Sequence, residues 1–187
     1  MIIQVRERTL DEIKKKVIEM NTDLNKITYL ESALKETGFS FEIKRFLWGE
    51  LAKLYVGRKM FEKAARAQAN RASMEVTTRE KMESYITSAE YFAKIGKIDT
   101  CEDMFIRASR EGTPELNARV KLARRNIYFA CAKELEETGK RAGAVKFYEK
   151  LMKMELDSLE KTMIKDKLKK AYNGLGLFRE AKMLDGS

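Results

Sequence analysis

Apolar residues recur at intervals of three and four along most of this chain, and that spacing predicts amphipathic α-helices. The clearest case is residues 89–108, where glycine at position 96 predicts a tight turn between two helices. After this turn, one helical stripe contains Ile98, Cys101, Phe105 and Ala108. The small residues in the stretch predict that the two helix axes approach to about 8–10 Å.

Residues 10–37 allow two interpretations. Thr9 and Glu12 form a predicted capping box at the start of a helix. The segment Asn-Thr-Asp at positions 21–23 offers a turn and a second N-cap, which favours two helices. One long helix is the alternative, because the apolar residues between positions 13 and 27 keep a heptad-like spacing.

Single residues mark the later helix boundaries. Ser40 is a predicted N-cap, and Thr113 followed by Pro114 predicts the start of a long helix over residues 114–137. Turns separated by 38, 37, 43 and 37 residues are predicted at Asn21, Lys59, Gly96, Gly139 and Gly176. Such a period is typical of helical repeat proteins, in which each helix pair buries its apolar face against the next.

Several motifs resemble the tetratricopeptide repeat (TPR), a helix–turn–helix unit. They are Trp48-x-x-Leu51-Ala52-x-x-Tyr55, Phe61-x-x-Ala64 and Phe178-x-x-Ala181. The resemblance covers residues 40–184, and it departs from the family pattern where Gln68 and Arg71 replace a large apolar and a small residue. It implies an all-α fold, a right-handed α-solenoid of about ten helices in four to five antiparallel pairs.

We therefore expect a single helical-repeat domain over residues 1–187, with a divergent helix pair in 1–39 and TPR-like repeats in 40–184. Alternation of small and large apolar residues predicts the core. Its predicted members are Trp48, Leu51, Tyr55, Ala64, Phe92, Cys101, Phe105, Ala144, Tyr148, Tyr172 and Ala181. Phe178 is also expected to be buried, because most aromatic residues of the chain fall on the inward stripe of their helix.

Composition is that of a soluble helical protein. Of the 187 residues 36% are charged and one is proline. No apolar run reaches the roughly 18 residues that a transmembrane helix needs, so we expect no membrane span and a cytoplasmic location. Cys101 and Cys131 fall at small interior positions of helices, and they are predicted to be buried small hydrophobes that form no disulfide.

No catalytic or metal site is predicted. The chain has no histidine, the commonest general base and metal ligand. It also lacks a glycine-rich phosphate loop, and neither cysteine has a histidine to activate it. We expect no enzymatic activity, no cofactor and no metal ion.

The TPR resemblance implies that the first helix of each pair lines a concave groove. The residues six positions before the predicted turns are Lys15, Lys53, Glu90, Lys133 and Lys170. Those ten positions before are Asp11, Gly49, Ile86, Phe129 and Asp166. The four lysines with Phe129 predict that the chain is a non-catalytic protein–protein interaction scaffold that binds an acidic peptide or partner segment. A lysine-rich solvated surface is the alternative explanation.

Two other functions stay open. The net charge is +9, and residues 113–187 carry seventeen basic and eleven acidic side chains. Binding of the RNA or DNA backbone is predicted if two basic clusters lie on one side. The clusters are Lys121, Arg124 and Arg125, and Lys161, Lys165 and Lys169. The other function is a self-assembling homo-oligomer, in which the last repeat stacks on a second copy.

Overall fold

A computed structural model describes residues 4–110 and 112–184, and within these ranges the protein is all-helical. The ten helices described are α1 (Leu10–Glu19), α2 (Asp23–Ala33), α3 (Phe41–Gly57), α4 (Phe61–Ala72), α5 (Thr78–Lys94), α6 (Ile98–Ser109), α7 (Pro114–Glu137), α8 (Arg141–Met152), α9 (Ser158–Gly174) and α10 (Phe178–Met183). The predicted all-α fold is confirmed. Contacts divide the chain into two compact units, with the division after Asn117.

Residues 10–33 form two helices, so the interpretation as one long helix is wrong. The Thr9 hydroxyl accepts a hydrogen bond of 3.3 Å from the backbone N–H of Glu12, whose carboxylate accepts one of 3.1 Å from Thr9. Met20 ends α1 in an extended conformation, and the Thr22 side chain caps α2. The chain breaks between α1 and α2 because the Thr22 side chain bonds a backbone N–H group at the start of α2, which in a continuous helix would bond to a carbonyl of the preceding turn.

The connection between paired helices has one geometry at four of the five predicted turns. Lys59, Gly96, Gly139 and Gly176 have φ values of 58°, 72°, 74° and 75°. At each, the next residue donates its N–H to the carbonyl four positions before the turn residue, over 2.8 to 3.0 Å. This is the Schellman arrangement, and the next helix begins two residues after the turn residue. The sequence period thus corresponds to a repeated helix–turn–helix connection.

The first unit contains α1 to α6, and its core includes one face of α3. Leu51 and Tyr55 are buried as predicted, but Leu47 takes the fully buried position and Trp48 packs only partly buried against the core. The prediction that Trp48 belongs to the core is therefore wrong. The buried stripe of α3 passes through Ile43, Leu47, Leu51, Ala52 and Tyr55. The other predicted core residues of this unit are buried, namely Ala64, Phe92, Cys101 and Phe105.

The second unit contains α8 to α10 with most of α7. Tyr128 is fully buried, and its ring centroid lies 5.5 Å from that of Phe147. The predicted core residues of this unit are buried, namely Ala144, Tyr148, Tyr172 and Ala181. The expectation for Phe178 is wrong, because this residue opens α10, a six-residue helix that buries only Ala181.

Four buried tyrosines donate their hydroxyls to glutamates from other segments of the same unit. The pairs are Tyr29 with Glu7, Tyr55 with Glu31, Tyr148 with Glu136, and Tyr172 with Glu149. Each pair gives a buried hydroxyl its hydrogen-bond partner. Burial is the largest cause that raises the pKa of each of these phenols, and the hydrogen-bonded carboxylate raises it further. The pKa of Tyr172 is raised to about 12.

Cys101 and Cys131 are both buried thiols, as their helical positions predicted. Across residues 4–110 and 112–184, no helix combines the length and the apolar character that crossing a bilayer requires.

Candidate functional site

The first unit has a pocket of about 250 Å³, here called the α1–α3 pocket. Its lining residues are Leu10, Lys14, Glu42, Arg45, Phe46, Gly49, Glu50, Lys53 and Arg71. The six residues from α3 follow one another at helical spacing, so they form a single face of that helix. The hydroxyl of Ser40 accepts a hydrogen bond of 3.3 Å from Ile43 and fixes where this face begins.

Four cationic and two anionic side chains line the α1–α3 pocket, beside an apolar floor. Lys53 Nζ lies 2.6 Å from Glu50 Oε1. Lys14 Nζ lies 5.9 Å from the ring centroid of Phe46, a cation–π distance. The pocket therefore places both cationic and anionic groups next to an aromatic surface.

Two arginines of this pocket reach a glutamate behind it. Arg71 Nε donates a hydrogen bond of 2.8 Å to Glu75 Oε1, and Arg45 Nη1 lies 3.5 Å from Glu75 Oε2. The Glu75 side chain is only 2% exposed. Sequence reasoning missed Arg45 and Glu75. The one signal was that Arg71 stands where the family pattern has a small residue.

The second unit has an open groove of about 760 Å³, here called the α9 groove. It is lined by Glu136 of α7 and by Leu159, Thr162, Met163, Asp166, Lys167, Lys169, Lys170 and Asn173 of α9. Glu136 accepts hydrogen bonds of 2.8 Å from Lys167 and 2.9 Å from the Tyr148 hydroxyl. The hydrogen bond from Lys167 is the main reason that the pKa of Glu136 lies below its ordinary value.

Two of the predicted partner-binding lysines line these sites. Lys53 lines the α1–α3 pocket together with Gly49, and Lys170 lines the α9 groove together with Asp166. In each case the two residues are the ones six and ten positions before a turn. At two of the five predicted turns, these two repeat positions therefore line a pocket or groove.

The other three predicted partner-binding residues lie elsewhere on the surface. Lys15 is exposed on α1, where its neighbour Lys14 lines the pocket instead. Lys133 is exposed, and its Nζ lies 3.8 Å from Glu137. Phe129 is half-buried on α7. Among the residues that the structure describes, Lys133 and Phe129 are not part of the α9 groove lining.

The first basic cluster is engaged with carboxylates and an aromatic ring. Lys121 Nζ lies 3.2 Å from Glu155, and Arg125 Nη1 lies 2.9 Å from Glu160. The Arg124 guanidinium lies 5.7 Å from the ring centroid of Tyr128. In the second cluster, Lys161 is exposed, whereas Lys165 and Lys169 are half-buried. Pairing with glutamates lowers the positive charge that the first cluster offers to phosphates.

Within the described part of the chain, no group of three or more Cys, Asp or Glu side chains is placed to hold a metal ion. No family model matches the sequence, and no match is found among curated proteins or solved structures. What the protein binds must therefore be inferred from the chemistry of the two grooves.

Proposed function

We propose that this protein is a non-catalytic interaction scaffold of the TPR-like solenoid type, and that it binds an acidic peptide or partner segment. The observation that carries the proposal is the recurrence of one pair of repeat positions beside a groove in each unit. Gly49 and Lys53 line the α1–α3 pocket, and Asp166 and Lys170 line the α9 groove. The ligand class follows from the two lysines, which attract carboxylates: Lys170 is exposed in the α9 groove, and Lys53 also contacts Glu50 at 2.6 Å.

Both sites also offer the apolar surface that peptide binding needs. Leu159 is 82% exposed and Met163 is 42% exposed in the α9 groove. Exposed ion pairs contribute only about 0–1 kcal/mol each, whereas micromolar affinity requires about 8 kcal/mol. An acidic segment therefore needs an apolar anchor as well as its carboxylates, and the two sites supply surfaces for both.

The test compares the wild type with a variant that carries Lys53→Ala, Lys133→Ala and Lys170→Ala. Each labelled protein is applied to an array of short random-sequence peptides sorted by net charge and apolar content. We expect the wild type to bind acidic peptides that contain leucine or phenylalanine, with affinities of order micromolar. The triple variant should lose this binding and keep its helical circular dichroism.

A second triple variant controls for net charge. Lys35, Lys146 and Lys182 are exposed and lie outside the predicted row, so replacing them with alanine removes the same charge. This variant should bind acidic peptides as the wild type does. Equal binding by wild type and the first variant would refute the groove assignment. Capture of RNA or DNA with a steep salt dependence would favour the nucleic-acid alternative instead.

A further inference from the structure

The exposed face of α9 has the spacing of a helix that packs against another helix. Five residues of the α9 groove lie alternately four and three positions apart, namely Leu159, Met163, Asp166, Lys170 and Asn173. All five are exposed, and Leu159 is 82% exposed. Steps of four and three are the spacing of a coiled-coil seam, and an exposed leucine and methionine in such a seam mark an interaction surface.

Asp166 and Lys170, the two charged residues of this stripe, carry opposite charges and lie one helical turn apart. Lys167, which lies between them in the chain, is 2.8 Å from Glu136. Among the described residues, by contrast, neither Asp166 nor Lys170 has an opposite charge within 4.0 Å. A stripe with one carboxylate and one ammonium group is complementary to itself, because a two-fold axis places each group beside its opposite in a second copy.

The same charges determine how a second copy aligns. In two antiparallel helices, residues whose numbers have the same sum lie opposite each other. Placing Asp166 opposite Lys170 of a second copy makes two equivalent ion pairs, and it sets Met163 opposite Asn173. The next register, shifted by one heptad, instead sets Asp166 opposite Met163, which leaves the carboxylate against an apolar side chain. The register with the two ion pairs is therefore favoured.

Apolar residues at the two ends of the stripe are covered in the same register. Leu159 lies at the start of α9, so it meets the end of α9 in the second copy. At that end Leu175 and Leu177 are 39% and 38% exposed. Burying these side chains supplies hydrophobic stabilisation, which the interface needs because exposed ion pairs are individually weak.

We infer that the α9 groove is a homodimer interface, in which two copies of α9 pack antiparallel around a two-fold axis. Each copy contributes its Asp166 carboxylate to Lys170 of the other. This inference goes beyond the proposed function, because dimerisation is measured with no peptide present. It also regulates that function, since an acidic peptide and the second copy compete for Lys170.

Sedimentation equilibrium of the full chain, from about 10 μM to 1 mM, measures the dimer directly. Leu159→Asp should lower the association constant at least about tenfold, because it places a carboxylate at each apolar end of the interface. Leu24→Asp is the matched control. Leu24 is also an exposed leucine at the second position of a helix, in this case α2. The Leu24→Asp variant should associate as the wild type does.

An exchange of charges tests the register. Asp166→Lys and Lys170→Asp each place like charges opposite each other, so each variant alone should associate at least about tenfold more weakly. An equimolar mixture of the two should restore association, because every pair across the mixed dimer is again of opposite charge. The double variant keeps the net charge of +9 and should also dimerise. Asp11→Lys is the control and should associate normally, because Asp11 is exposed at the same repeat position on α1.

The inference is supported if the wild type dimerises, the single variants in the stripe weaken association, and the mixture and the double variant restore it. It is overturned if the wild type is monomeric up to about 1 mM, if Leu159→Asp and Leu24→Asp act equally, or if neither charge exchange restores association. A monomer that binds acidic peptides would refute the dimer alone, and a dimer that binds none would refute the proposed function alone. Thermal melts identify any variant that has not folded, and the remaining variants then decide.

Discussion

The Tyr148 hydroxyl donates a hydrogen bond of 2.9 Å to Glu136, the same carboxylate that Lys167 contacts at 2.8 Å. Tyr148 belongs to α8, Glu136 to α7 and Lys167 to α9, so one carboxylate links three helices of the second unit. Glu136 and Lys167 also line the α9 groove. Stability and the shape of that groove therefore depend on the same contacts.

Removing the Tyr148 hydroxyl should destabilise the protein. We expect Tyr148→Phe to lower the free energy of unfolding by about 0.5–1.5 kcal/mol, because a partly buried hydrogen bond is lost. Urea denaturation followed by circular dichroism measures the change. Tyr85→Phe is the control, since the described residues offer the Tyr85 hydroxyl no hydrogen-bond partner. An equal loss in both variants would contradict the assigned role of the Tyr148–Glu136 bond.

Acid should weaken the contacts of Glu136. Its folded-state pKa lies below the ordinary value of 4.5, mainly because Lys167 donates a hydrogen bond to it. The resulting stabilisation is present above pH 4.5 and is lost as the pH falls through the lowered pKa. Lys167→Met removes the main cause, so the stability difference between wild type and variant should shrink below pH 4.5. Parallel denaturation profiles across this range would show that the Lys167 hydrogen bond does not perturb Glu136.

Alkali should act on the tyrosine pairs with the opposite sign. The pKa of Tyr172 is raised from 10.0 to about 12, so the folded state favours the neutral phenol. Its contribution to stability is complete below pH 10 and is lost as the pH rises towards 12. In this window the wild type should lose stability more steeply than Tyr172→Phe. Urea denaturation at several alkaline pH values checks this, and identical slopes would rule out the raised pKa.

The turn at Lys59 offers a stabilising substitution. Lys59 has φ of 58°, a conformation that costs a residue with a Cβ roughly 1 kcal/mol and costs glycine little. Lys59→Gly should therefore raise the melting temperature. Gly96→Ala, at φ of 72° in the corresponding turn, should lower it. If Lys59→Gly lowers the melting temperature, the left-handed conformation at this residue is wrong.

Small residues in the core should not tolerate enlargement. Ala144 on α8 is 1% exposed, so Ala144→Leu should cost about 1–3 kcal/mol through overpacking. Ala142 lies on the same helix and is exposed, so Ala142→Leu should change stability by less than about 0.5 kcal/mol. Differential scanning calorimetry distinguishes the two. A harmless Ala144→Leu would mean that this face of α8 is not closely packed.

Helix boundaries and turns could be predicted because short-range interactions determine them. The capping box of Thr9 and the left-handed turn at Gly96 each involve residues within one or two helical turns. Burial was predicted less well for α3. Leu47 and Trp48 are adjacent apolar residues that both fit a helical stripe, and only the helices packed against α3 decide which one is buried.

The candidate sites show the same contrast between features that the sequence predicts and features that depend on packing. The repeat period predicted Lys53 and Lys170, which both line grooves, whereas the support of the α1–α3 pocket had no sequence signature beyond Arg71. Glu75 lies in the connection after α4 and meets Arg45, which is 30 positions away on α3. Nothing within one helical turn of Glu75 indicates such a contact.

The sequence by itself determined the helical content, the positions of the turns and the repeat period, because caps, glycines and apolar spacing act over a few residues. Only the tertiary structure decided which face of each helix is buried and which charges converge. Those outcomes depend on packing between residues that are far apart in the chain, and Arg45 meets Arg71 and Glu75 only when α3 packs against α4.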